Sequence, residues 1–154
     1  MIDRLMAWLK DGESDATRGM DELPLAVAAL LLEAAVVVDG QFDAHERAVV
    51  AGLLQRCFSL SPAASQQLMT AAEQRVTVSA QLFGFTSTVN ERLSAARKIE
   101  VIEMLWEVAY ADGVLDPLED TLVRRIAGLI DVSDHERGAA KRRVLQRLGL
   151  QPAQ

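Results

Sequence analysis

The chain repeats one acidic phrase. Asp39-Gly40-Gln41-Phe42-Asp43-Ala44-His45-Glu46 returns as Asp112-Gly113-Val114-Leu115-Asp116-Pro117-Leu118-Glu119, an offset of 73 residues. The common form is Asp-Gly-x-apolar-Asp-x-x-Glu. Each copy gathers three carboxylates around a tight Asp-Gly turn: Asp39, Asp43 and Glu46, then Asp112, Asp116 and Glu119. Hard oxygen donors at that density suit Ca²⁺, Mg²⁺ or Mn²⁺. The spacing matches the second half of an EF-hand loop, but the first half is missing. Its early ligand positions would fall on Ala35 and Val37 in one copy and on Val108 and Tyr110 in the other. A standard EF-hand is excluded, and any metal site must draw further ligands from elsewhere in the fold.

The same residues also read as helix punctuation. Gly40 and Gly113 stand where a helix ends, and glycine takes the left-handed closing conformation without steric cost. Asp43 and Asp116 fit the N-cap of the following helix, with Glu46 and Glu119 three residues on, completing capping boxes. Pro117 sits at the first helical position, which tolerates proline best. Asp39 and Asp112 remain over on this reading, since an acid near a helix C-terminus is mildly unfavourable with the dipole. Ligands and caps are both open at this point.

Two other acidic features could contribute. Glu33 is the only charge between Leu23 and Val38, in a segment apolar on every side. Such a helix is buried, and a buried carboxylate needs a partner: a metal, or an arginine from a packed neighbour. Glu100, Glu103 and Glu107 share one face of the segment before the second phrase. A solvated helix face accounts for them as well as ligation does. Arg137, Lys141, Arg142, Arg143 and Arg147 make the last helix basic. Pairing with the acidic stripe, or with a helix C-terminus, is the simplest use of those cations.

The elements that must position these groups are helical. Apolar residues recur at helical spacing in segments 23–38, 44–58, 62–75, a segment opened by Thr77 or Ser79, 95–111, 117–130 and 134–148, and no stretch alternates as a strand does. Ser61-Pro62, Ser94 and the capping box Ser133-Asp134-His135-Glu136 mark helix starts. Residues 1–10 form a short amphipathic segment with Ile2, Leu5, Met6 and Leu9 on one face, and residues 11–22 read as a polar linker. The expected fold is all-α: a compact bundle of about seven or eight helices in residues 23–150, built from two related helix–turn–helix halves, each centred on one acidic phrase.

Composition narrows the function. The chain has 154 residues, half of them apolar, which suits one domain with a sizeable core. Its net charge of −6 argues against nucleic acid as a partner, because phosphate rewards clustered Lys and Arg. The single Cys57 excludes an internal disulfide and a cysteine-based zinc cluster. There is no phosphate-binding glycine loop, no His-Glu-x-x-His zinc motif and no Glu-x-x-His di-iron spacing. His45 and His135 are the only histidines, and neither stands beside an evident nucleophile. Nothing argues for catalysis. The first ten residues lack the long apolar run of a signal peptide, and the 16-residue apolar segment is short for a membrane span. A cytoplasmic protein without a transmembrane segment is expected.

With these residues in hand, the chain resembles the TerB-like family, named for a tellurite-resistance protein. The likeness runs from about Leu25 to Val132. It is carried by the two acidic phrases, by Leu31-Leu32-Glu33 and Phe85-Thr86, and by Leu105-Trp106-Glu107-Val108-Ala109-Tyr110-Ala111-Asp112-Gly113. The stand-alone bacterial branch is the most similar. The resemblance implies a two-halved all-α bundle, acidic residues proposed to bind divalent metal and a stress-response or envelope-associated setting; a protein partner is expected as the role of a non-enzymatic module. By position, the implied metal residues are Glu33, Asp39, Asp43, Glu46, Asp112, Asp116 and Glu119. Direct reduction of an oxyanion is not implied, because clustered thiols are lacking.

Overall fold

A helix that is apolar all round must sit inside others, and this one does. In the computed structural model, which describes residues 16–78 and 82–150, α1 (Ala16–Val36) packs against α2 (Ala44–Phe58), α3 (Pro62–Val78), α4 (Leu82–Arg92), α5 (Ala95–Ala109) and α6 (Pro117–Leu129). Only the last helix, α7 (Asp134–Leu148), is not among these neighbours. Residues 26–32, Ala34 and Ala35 are all buried. The fold is all-α, seven helices with no strand among the described residues.

α5 is the second centre. It packs on α1, α2, α6 and α7, and its buried face carries Val101, Ile102, Leu105, Trp106 and Val108. Trp106 fastens α7. Its indole Nε1–H donates to the Arg137 carbonyl at 3.2 Å, and the Lys141 ammonium lies 5.2 Å over its ring. An aromatic of this size, 1 % exposed, supplies much of the apolar area that holds two helices together.

The helix starts follow the sequence signals closely. Ser94, Asp116 and Ser133 are N-caps of α5, α6 and α7, and Asp43 caps α2. Two bounds differ from expectation. The stretch 11–22 is not a linker throughout, since α1 is already helical from Ala16. Pro24 lies inside that helix, where its missing N–H leaves the Met20 carbonyl without its helical donor. The cost is tolerated because the turns that follow are deeply buried and Glu22 is tied to Arg92 by a 2.9 Å ion pair. The helix opened by Pro62 also runs further than expected, to Val78, so Thr77 lies inside it and opens no new helix. The amphipathic segment 1–10 lies outside the described residues. None of the described helices is long and apolar enough to cross a membrane.

Candidate functional site

The two acidic phrases fold into similar turns, although the glycine bonds differ by one position. After α1, the Gly40 N–H bonds back to the Val36 carbonyl at 2.8 Å with φ +75°. After α5, the Gly113 N–H reaches the Tyr110 carbonyl at 2.9 Å with φ +86°. Both angles lie where a side chain would be strained. Asp39 Oδ1 accepts the Gln41 N–H at 3.0 Å, and Asp112 Oδ1 accepts the Val114 N–H at 3.1 Å. These two acids, unexplained as helix stops, thus hold Asx turns: a carboxylate bonds its own backbone two residues on.

The remaining four carboxylates form the capping boxes. Asp43 Oδ1 accepts the Glu46 N–H at 2.8 Å, and Glu46 Oε1 accepts the Asp43 N–H at 3.1 Å. Asp116 Oδ1 accepts the Leu118 N–H at 2.8 Å, and Glu119 Oε1 accepts the Asp116 N–H at 3.0 Å. Each of the six carboxylates is therefore bonded through one oxygen to local backbone.

Tertiary packing then brings the two turns together. His45 Nε2 lies 2.9 Å from the Ala111 carbonyl, joining the first turn of α2 to the residue before Asp112. A carbonyl only accepts, so this ring nitrogen carries the proton. The charges also meet. Burial, the largest cause, and then Asp43, Asp39 and Asp112 push the Glu46 carboxyl above its ordinary value, against a lowering backbone bond at Asp43. Glu119 is pushed up to about 7, again first by burial and then by Asp112, Asp116 and Glu46, against its backbone bond at Asp116. Burial, Asp120 and Glu119 raise the Tyr110 hydroxyl as well. Like charges at close range favour the neutral form.

Among the described residues, no lysine or arginine forms an ion pair with any of the six. The arginines nearest in sequence face other acids. Arg47 pairs with Glu73 at 2.7 Å while lying 4.8 Å over the Phe42 ring, and Arg124 pairs with Asp120 at 3.2 Å. Also among the described residues, no three His, Cys, Asp or Glu side chains stand close enough to hold a metal ion as they are placed.

The other acidic features separate from this pair. Glu33 is raised by burial, and the charge that opposes the shift is Arg125 on α6. An arginine from a packed neighbour was one of its two expected partners. Glu33 does not figure among the charges that act on Glu46 or Glu119. The stripe on α5 is neutralised by the basic helix: Glu103 meets Arg143 at 2.9 Å and Arg147 at 3.1 Å, and Glu107 faces Arg147 at 3.9 Å and Arg56 at 4.0 Å. Glu100 pairs with Arg97 at 2.9 Å. His45 is exposed, and only its distance to the Ala111 carbonyl reveals its bridging role. No signal local to the phrase could have shown a partner 66 positions away.

No curated protein and no solved structure matches the chain. The model of one family, described as tellurite resistance protein TerB, matches residues 24–142. That stretch runs from the buried part of α1 into α7 and contains both acidic turns, so the chain belongs to the TerB family.

Proposed function

We propose that this TerB-family domain is a non-enzymatic interaction module whose two acidic turns form one shared site for a divalent cation. The observation that carries this reading is the approach of two distant turns that bear six carboxylates, with no cationic side chain paired to them among the described residues and with Glu119 pushed up to about 7. The shared turn geometry supports treating α1–α2 and α5–α6 as related hairpins that present one acidic surface.

The donor chemistry fits a hard cation, since only carboxylate and backbone oxygens are on offer. The placement fits one that keeps much of its water. Each carboxylate has one oxygen committed to backbone, and no three side chains converge. Asp39, Asp43, Glu46, Asp112, Asp116 and Glu119 would hold Mg²⁺, Ca²⁺ or Mn²⁺ through their second oxygens, directly or through water. The cation would supply the positive charge that the protein withholds. Glu33, facing Arg125, would tune the bundle rather than ligate.

The double substitution Asp39→Asn with Asp112→Asn tests this. Asn forms the same Asx turn, so the fold is retained while two charges are removed. In chelator-treated protein, added cation is expected to raise the melting temperature of the wild type saturably and the double variant much less. Equal responses would sink the site.

A metal-free reading has its own observation: every one of the six carboxylates already has a structural task as cap or Asx turn. On that reading Asp43→Ala or Asp116→Ala costs about 1 kcal/mol, as cap removal does, and the loss is the same with and without cation.

A further inference from the structure

Beside the paired turns runs an apolar groove of about 390 Å³, and its walls are named by Val49, Gly52, Leu53, Tyr110, Leu148 and Leu150. Ala48, Val49, Gly52 and Leu53 form one stripe along α2, and small residues at 48 and 52 leave the space open. The groove's near end is the second turn, through Ala111 and Gly113. Asp112 lies between those two residues, and none of the six carboxylates of the paired turns has an ion-pair partner among the described residues. Around the same turns and the end of α7, large apolar side chains face outward: Val114 is 70 % exposed, Leu118 52 % and Leu148 42 %. At the far end Arg56 is exposed.

We infer that this groove docks a basic amphipathic helix of a protein partner, its apolar face in the groove and its lysines or arginines over the acidic turns. The inference rests on the reading of the domain as an interaction module and names the partner's chemistry. Charge complementarity selects the occupant. The end of the groove with unpaired carboxylates attracts cations, and a helix entering N-terminus first also brings its positive dipole end there and its negative end toward Arg56. The recognition mode is helix-in-groove, with two or three apolar side chains at i, i+3, i+4 and i+7 as anchors. The chain's own ends match poorly. Residues 1–10 carry only one net positive side-chain charge, Arg4 and Lys10 against Asp3, and the four residues beyond Leu150, Gln-Pro-Ala-Gln, offer no large apolar side chain. A second copy would bring the same acidic turns and a net charge of −6.

The probe is a fluorescein-labelled synthetic peptide of about eighteen residues, five helical turns, with leucine at the anchor positions and lysine elsewhere. Its controls are a scramble of equal composition, a version with glutamate for lysine, and the peptide of residues 1–10. Polarisation is read in chelator with full-length protein. The amphipathic lysine peptide is expected to bind at least about tenfold more tightly than each control, a difference of about 1.4 kcal/mol, and to weaken with salt. Gly52→Leu fills the groove without touching the turns. A Cβ there meets only Arg56 Nη1 at 3.5 Å, the end of a flexible side chain; with its melt checked against the wild type, the variant is expected to lose about tenfold in affinity. Leu148→Gln is expected to weaken binding in the same direction. Equal binding of the scramble, or unchanged binding by both variants, overturns the proposal. So does tighter binding of residues 1–10, or self-association abolished by Gly52→Leu. A flat melt against cations would overturn the metal site and leave these outcomes as they stand.

Discussion

Glu119 shows what burial, and after it neighbouring carboxylates, do to a single side chain. Its folded pKa of about 7 lies above the ordinary value of 4.5, with burial the first cause and three neighbouring carboxylates adding to it. Between those values the folded protein keeps a proton that the unfolded chain has released. Stability therefore falls as pH rises through that window, and the contribution is fully present only below the ordinary value. Glu46, raised by the same kinds of cause, acts in the same direction. Glu119→Gln keeps the cap, because glutamine also accepts from the N-cap N–H, but removes the charge. It is expected to be more stable than the wild type at pH 8 and equal to it at pH 4. After discounting for solvent screening of a half-exposed group, the gain is on the order of 1 kcal/mol. Urea unfolding at the two pH values measures it, and parallel pH profiles would show that the Glu119 carboxyl is not raised on folding.

At the scale of helices and their connections, the turns and the α5–α7 contact make separate predictions. Gly40→Ala and Gly113→Ala meet no atom within 4 Å, so any loss comes from the backbone alone. Each is expected to cost roughly 1–2 kcal/mol, the penalty for a left-handed residue with a Cβ, read from the denaturant midpoint. Trp106→Ala removes the anchor of α7 and its bond to the Arg137 carbonyl. A loss of about 3–5 kcal/mol is expected, and hydrogen exchange should rise first across residues 134–148. Glu103→Gln breaks the exposed pairs with Arg143 and Arg147. Such surface pairs contribute only ~0–1 kcal/mol and fade with salt. The apolar anchor, and not the charges, therefore decides whether α7 stays docked. A larger loss for Glu103→Gln than for Trp106→Ala would reverse that ranking.

For the molecule as a whole, α1 is the element that five of the other six helices share. Leu30, fully buried at its centre, is expected to cost about 2–5 kcal/mol on replacement by alanine. The melt should stay a single transition, because no half of the bundle keeps its core without α1. Cation binding is the second property at this scale. A ligand of the folded state alone stabilises by about 2.7 kcal/mol at one hundred times its dissociation constant. Because protons compete for Glu119 and Glu46, the cation-induced rise in melting temperature is expected to be larger at pH 8 than at pH 5. An equal rise at both would detach the effect from these carboxylates.

The helices, their caps and the two Asp-Gly turns were legible in the residues, because those structures are decided within three or four positions of chain. Asp43 and Glu46, Asp116 and Glu119, and Ser94 and Ser133 all act on backbone beside them. The burial of α1 was legible too, since a helix without a polar face has no other place to go. Three matters lay beyond local reach. The start of α1 at Ala16, through Pro24, depends on burial of the turns that follow. The partners of Glu33 and of the α5 stripe depend on how α6 and α7 cross their neighbours. Most important for function, the two acidic turns face one another across 73 positions only because α1, α2, α5 and α6 pack in one bundle. Phrase and spacing carry the charges, but the distance between them is set by helix packing alone.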